Sequence, residues 1–226
     1  MNTSPVVRIG AAVALVLGPV TLIATGVAQW FVQPAGEAPT PVDVAGQFPE
    51  LWLVLGLASV LGPVVWLGGV PSTVTLAPAR GSATTRMGAI VTGAGLAAGV
   101  CHLAIFFSVY AALAASGLEP ASMPGALAAA DAEPLGTVLL IMFLVGFSLG
   151  PIVLTVGLRM AKRVPVWVPI AAVVTAAANL VGGPVAAIVQ YLALLLVWIP
   201  VAVALVRSSS ARAGLASVAP EAAVAV

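Results

Sequence analysis

The pentapeptide GFSLG, residues 146–150, has the G-x-S-x-G spacing that presents a nucleophilic serine in many hydrolases. That chemistry needs a strand before the serine, a helix after it, and a base that takes the hydroxyl proton. Ser148 lies instead within a continuous apolar run, and the single histidine, His102, is on another segment. The surrounding sequence therefore favours a structural role for Ser148, in which its hydroxyl hydrogen-bonds its own helix beside Pro151.

A Leu-Gly-Pro triplet recurs within the apolar segments, at residues 17–19, 61–63 and 149–151, and Pro200 adds a further proline. Proline removes one backbone hydrogen bond and pushes the helix away from the carbonyl four residues earlier. The last three of these prolines lie at similar positions in segments that run in the same direction. We therefore predict proline kinks at one level of a helical bundle.

His102 follows a glycine pattern formed by Gly93, Gly95 and Gly99. A dinucleotide site would need such a pattern between a strand and a helix, and a long apolar run provides neither. The pattern instead predicts close helix packing through Gly95 and Gly99. At 100° per residue His102 shares that face, so its imidazole points into the protein. It is either a neutral imidazole bonded across helices or a functional group within the membrane.

Other polar side chains gather at the predicted outer ends of the apolar segments. Tyr110 lies two turns beyond His102, Asn179 precedes a Gly-Gly-Pro turn, and Gln190 and Tyr191 follow that turn. If their helices meet, these five side chains line a ligand-binding pocket that opens to the outside. The alternative is that Asn179 and Gln190 satisfy the turn between their own helices. In an enzyme, His102 would be the catalytic candidate, with Tyr110 or Tyr191 beside it.

The composition excludes an ordinary water-soluble domain. Hydrophobic residues make up 62% of the chain and charged residues 7%, against roughly 25% charged in soluble domains. The net charge of +1 gives no reason to expect a nucleic-acid partner. One cysteine excludes an internal disulfide, and no carboxylate or lysine lies within an apolar segment. We therefore predict no metal site and no cofactor.

The apolar runs set the number of membrane spans. A spanning helix needs about 20 mostly apolar residues. The last apolar block, residues 164–206, is about twice as long as the bilayer core requires, so it must fold back at Gly182-Gly183-Pro184. We predict an all-α bundle of six transmembrane helices in a single domain, residues 1–207. The spans lie at about 7–32, 51–70, 88–115, 135–158, 165–182 and 185–206.

The charges alternate between the connections of these six spans. One set of connections and both chain ends contain the basic residues Arg8, Arg80, Arg86, Arg159, Lys162, Arg163, Arg207 and Arg212. The other set contains the acidic residues Glu37, Asp43, Glu50, Glu119, Asp131 and Glu133, and the seventh acidic residue, Glu221 in the C-terminal tail, is the exception. The positive-inside rule then predicts cytoplasmic N- and C-termini in a plasma membrane. The Ala- and Ser-rich tail, residues 208–226, is predicted to be disordered.

Six spans, a cytoplasmic N-terminus and Gly146-Phe147-Ser148 on span four resemble the rhomboid intramembrane proteases, whose nucleophilic serine lies in a G-x-S-G motif on that span. The resemblance would imply a histidine base on span six. Span six has no histidine, and Leu149 stands where rhomboids have glycine. The chain therefore departs from that family at the residues that carry its chemistry.

The segments RIGAAVALVLGPV, residues 8–20, and RMAKRVPVWVPI, residues 159–170, resemble small six-span actinobacterial membrane proteins of unknown function. This resemblance covers the whole chain by pattern. It implies a fold and a membrane location, and no activity.

Three functions are compatible with these observations. The first is a permease-like protein that handles a small molecule or lipid through the outward polar pocket. The second is an intramembrane enzyme that uses His102 on a lipophilic substrate, and the third is a structural or assembly subunit. The partners expected are the lipid bilayer, a hydrophobic small molecule and a membrane or ATPase subunit. An ATPase subunit would be needed for any ATP dependence, because the chain has no nucleotide-binding loop.

Overall fold

The computed structural model describes residues 4–32, 40–119 and 121–218, which contain helices and no strand. A 3₁₀ helix, Val70–Leu76, continues the third α-helix. The α-helices are α1 (Pro5–Val32), α2 (Pro41–Gln47), α3 (Pro49–Gly69), α4 (Ser82–Ala115), α5 (Met123–Asp131), α6 (Pro134–Met160), α7 (Trp167–Val181) and α8 (Gly183–Val218). Five of them, α1, α3 with its 3₁₀ extension, α4, α6 and α8, are long and apolar enough to cross a membrane, and α7 is apolar but has 15 residues.

Local sequence signals explain where several helices begin and end. Proline occupies the first turn of α2, α3, α5 and α6, where the missing N–H has no helical acceptor in any case. Thr40 and Asp43 form a capping box at the start of α2. Between α7 and α8, Gly182 and Gly183 have φ angles of 68° and 83°, which favour glycine. The predicted Gly-Gly-Pro turn is therefore confirmed.

The five long apolar helices and the shorter α7 form a closed ring in chain order. α1 packs against α3, α3 against α4, α4 against α6, α6 against α7, α7 against α8, and α8 against α1. Aromatic side chains of the three helices that run in the same direction fill the centre of the ring. The Trp66 ring lies edge-to-face at 5.1 Å from Trp198 and 5.9 Å from Phe147, centroid to centroid, and all three are buried. Pro63, Pro151 and Pro200 lie inside these same helices.

The pair formed by α4 and α6 is held together by small residues. A Cβ atom added to Gly95 would lie 2.6 Å from the Cα of Gly146, and one added to Gly150 would lie 2.5 Å from the backbone nitrogen of Thr92. Both distances are too short for real contacts, so the two backbones approach as closely as glycine allows. The predicted packing face on α4 is confirmed. Gly146 and Gly150, the two glycines of GFSLG, form the opposing face.

Contacts between helix ends bring the charged residues to two opposite ends of the bundle. At the basic end, Arg8 Nη1 donates to Ser208 Oγ over 3.2 Å, and Arg163 Nε donates to the Leu76 carbonyl over 2.8 Å. The acidic end carries α2, α5 and the described acidic residues Asp43, Glu50, Glu119, Asp131 and Glu133. Glu37, which was expected at the same end, lies outside the described residues.

The C-terminal segment differs from the expected disorder. α8 continues without interruption to Val218, so residues 208–218 are helical. The segment has three alanines and one arginine, which are strong helix formers, but also four serines and one glycine, so its helix relies on extending one that is already nucleated within the bundle. Residues 219–226 lie outside the described part of the chain.

Candidate functional site

The five side chains predicted to form one pocket lie in three different places. His102 and Tyr110 line a cleft formed by α4, α5 and the start of α6. Gln190 Nε2 donates to Asn179 Oδ1 over 3.1 Å, so these two amides join α7 to α8. The Tyr191 hydroxyl lies against Gly26 of α1. The ring order explains the separation, because α4 packs mainly on α3 and α6 and, in the described part of the chain, forms no extended interface with α7 or α8.

The cleft that contains His102 and Tyr110 has a volume of about 280 Å³ and lies at the acidic end. The polar side chains of its lining come from α4, from α6 and from the connection between these two helices, which includes α5. Tyr110 is buried, and its hydroxyl donates to Asp131 Oδ1 over 2.7 Å. His102 Nδ1 lies 3.2 Å from the Gly136 carbonyl oxygen. The remaining walls are mostly apolar and are formed by Ile105, Phe106, Val109, Ala129, Ala130 and Leu140, with Thr137.

The contact to Gly136 determines which nitrogen of His102 carries a proton. A carbonyl oxygen can only accept, so Nδ1 must be the donor in this hydrogen bond. In the neutral imidazole, Nε2 then has the lone pair and is available as an acceptor. The predicted hydrogen bond across helices is thus present, and it leaves the second nitrogen available to a ligand.

The start of α6 is fixed by the acidic residue beside the cleft. Glu133 is the N-cap of α6, and its Oε2 accepts a hydrogen bond from the Gly136 backbone nitrogen over 2.6 Å. This bond satisfies one of the free N–H groups of the first turn, and the carboxylate also favours the positive end of the helix dipole. Pro134 follows at the first helical position. Glu133 therefore holds the backbone to which His102 bonds.

An aromatic cluster supports the other wall of the cleft. Phe106 lies 4.7 Å from Tyr110 and 6.0 Å from Trp52, centroid to centroid. Trp52 Nε1 donates to the Phe107 carbonyl over 2.9 Å and so ties α3 to α4. Val42 and Ala45 of α2 pack into the same cluster. The cleft is therefore built on a packed layer that restricts the rotamers of its side chains.

The chain was compared with models of protein families, with curated proteins and with solved structures. None of these comparisons finds a match.

The cleft lining contains the carboxylates of Asp131 and Glu133 and no lysine or arginine among the described residues. Within the described part of the chain, no three His, Cys, Asp or Glu side chains are grouped to hold a metal ion. Carboxylates accept hydrogen bonds and attract positive charge, and both of these are exposed at the opening of the cleft. The arrangement thus suits a ligand with a positively charged, hydrogen-bond-donating group attached to an apolar body.

Asp131 and Glu133 were not among the predicted site residues, although the sequence contains a signal that points to them. α4 and α6 are antiparallel, and Gly95 lies opposite Gly146. Moving outward from that pair by equal numbers of residues brings Tyr110 opposite Asp131. Aligning the two glycine faces before assigning the polar residues would therefore have placed the carboxylate beside the tyrosine.

Ser148 makes no hydrogen bond within the described residues, although its Oγ is buried. The expectation that it bonds its own helix is therefore wrong. Thr155, one turn beyond Pro151, makes the local bond instead, with its Oγ1 2.7 Å from the Pro151 carbonyl oxygen. The G-x-S-x-G pattern consists here of two packing glycines around an unpaired hydroxyl.

Replacing Ser148 with alanine should leave the fold intact and stabilise it by about 1 kcal/mol, because the variant removes a buried hydroxyl that has no partner. Reversible unfolding in mixed detergent micelles measures the difference. Thr155→Ala is the control and should destabilise the protein, because it removes a hydroxyl that donates a formed hydrogen bond to the Pro151 carbonyl. Equal destabilisation by both variants would contradict this account of Ser148.

Proposed function

We propose that this protein crosses the plasma membrane six times, with the basic end in the cytoplasm and the cleft at the outer surface. α7 supplies the sixth crossing. It follows Arg163 at the basic end, ends at the Gly182-Gly183 turn and lies alongside α8. Its 15 residues extend about 22 Å, and residues 164–166 at the same rise would bring the segment to about 27 Å, close to a core of about 30 Å.

We further propose that the protein is a permease-like, lipid-handling protein that binds an amphiphile with a cationic head group in this cleft. One observation carries the proposal: Asp131, Tyr110 and His102 meet in a cleft whose other walls are mostly apolar. Small-ligand pockets usually measure about 300–1,000 Å³. At about 280 Å³, the cleft has room for a head group and the first part of a chain. The rest of the chain would pass Ile105 and Leu140 toward the surrounding lipid.

Binding of radiolabelled dodecylamine to the purified protein in nanodiscs tests this proposal. Dodecylamine is protonated at neutral pH, and dodecanoate is the matched anionic probe of the same chain length. We expect saturable binding of the amine and none of the carboxylate. Asp131→Asn should weaken amine binding about tenfold, because it removes the charge but retains an oxygen that can accept from Tyr110.

Glu119→Gln is the control for this measurement. Glu119 is also at the acidic end but does not line the cleft, so its loss should leave the affinity unchanged. Equal effects of the two substitutions would mean that the amine is attracted by the negative charge of the acidic end in general and does not bind in the cleft. Equal binding of amine and carboxylate would show that the cleft does not select a cationic head group. Either outcome would contradict the proposal.

A further inference from the structure

A second concave surface lies between α1 and α8 at the basic end, on the opposite side of the ring from the α4–α6 pair. This groove has a volume of about 570 Å³. Its walls are apolar and include Ile9, Val13, Leu17 and Val20 on α1 and Val203 and Val206 on α8. One charged side chain, Arg207, completes the lining.

The helical periodicity of α1 explains why the groove is apolar and open. Its outward residues recur at intervals of three and four, which gives one continuous stripe along the helix. The inward residues Ala11 and Leu15 are buried in the core. Ile9 and Val13 remain 51% and 56% exposed, so no described side chain of this protein covers the stripe. It extends over about 16 Å from Ile9 to Val20, about half the thickness of a bilayer core.

The charge at the mouth of the groove is positive and is not neutralised by a carboxylate. Arg207 is exposed, and no other described residue forms an ion pair with it. Arg8, the residue directly before the first lining residue Ile9, is buried and bonds Ser208 of α8. Every described Asp and Glu lies at the opposite end of the bundle. The amino terminus of α1 adds partial positive charge to the same region.

We propose that the groove binds an anionic phospholipid from the cytoplasmic leaflet. One acyl chain lies along the apolar stripe, whose length matches one leaflet, and the phosphate pairs with Arg207. Basic sites between transmembrane helices on the cytoplasmic side are suited to anionic head groups. The inference relies on the proposed orientation of the basic end and is independent of the ligand of the cleft.

Native mass spectrometry of the protein, equilibrated with equal amounts of dioleoyl phosphatidylglycerol and dioleoyl phosphatidylcholine, tests this proposal. The wild type should retain phosphatidylglycerol in preference to phosphatidylcholine. Arg207→Gln should lower phosphatidylglycerol retention about fivefold, because one phosphate contact is lost. Arg86→Gln is the matched control, since Arg86 is exposed at the same end and does not line the groove.

Val13→Trp provides a test that does not change the charge. The larger side chain fills the groove from its exposed wall and should displace the lipid while the thermal unfolding temperature stays close to that of the wild type. Equal retention of the two lipids by the wild type, or equal losses in Arg207→Gln and Arg86→Gln, would overturn the proposal. The wild type could also form dimers that Val13→Trp abolishes while lipid retention stays unchanged. That result would show that the groove binds a second copy of the chain, and it would overturn the proposal as well.

Discussion

Replacing Gly95 with valine is expected to destabilise the protein by about 3 kcal/mol, the upper end of the range for overpacked sites, and to abolish most of the folded yield. Even the first added carbon would lie 2.6 Å from the Cα of Gly146. A flexible side chain could rotate away from such a contact, but a helix backbone cannot. α4 and α6 would have to separate along their whole length, and the cleft between their ends would widen.

Gly93→Val is a closely matched control for this substitution. Gly93 lies two residues away on the same helix, and nothing is within 4 Å of the place where its Cβ would be. Both variants carry the same change in helix propensity and in hydrophobicity, so any difference between them reports packing alone. Unfolding titrations in mixed micelles and the yield of monodisperse protein measure it. Equal stability of the two variants would show that α4 and α6 do not meet at Gly95.

The helices and their faces were largely predictable from the sequence. Apolar runs of sufficient length located the long helices, and the length of the last apolar block required the turn at Gly182-Gly183-Pro184. The spacing of Gly95 and Gly99 identified the packing face of α4, because glycines one turn apart expose backbone to a neighbouring helix. These signals are local, so they do not depend on which helix the neighbour is.

The site was predictable only in part, because sequence periodicity gives the direction of a side chain and not its partner. His102 and Tyr110 share one face and one cleft, as expected. Asn179, Gln190 and Tyr191 also point into the protein, but the ring order places them between α7 and α8 and against α1. Their assignment to the same pocket required contacts between α4 and the last two helices, which are not extensive in this ring.

Side-specific labelling of single cysteines should give the largest of the predicted effects, because a cysteine on one side of the membrane is either labelled or not labelled. The described basic residues and the described acidic residues lie at opposite ends of the bundle. A membrane that keeps the basic end in the cytoplasm exposes α5 and the cleft on the outside. Cys101 is the one cysteine of the chain, so Cys101→Ala provides a background without thiols.

The most direct measurement places one cysteine at each end in this background and treats intact cells with a membrane-impermeant maleimide. Ala129 is exposed on α5 and lines the cleft, and Ala79 is exposed in the turn before α4. We expect Ala129→Cys to be labelled in intact cells and Ala79→Cys only after the cells are permeabilised. Labelling of Ala79→Cys in intact cells, or of Ala129→Cys only after permeabilisation, would contradict an outward-facing cleft in a six-span protein.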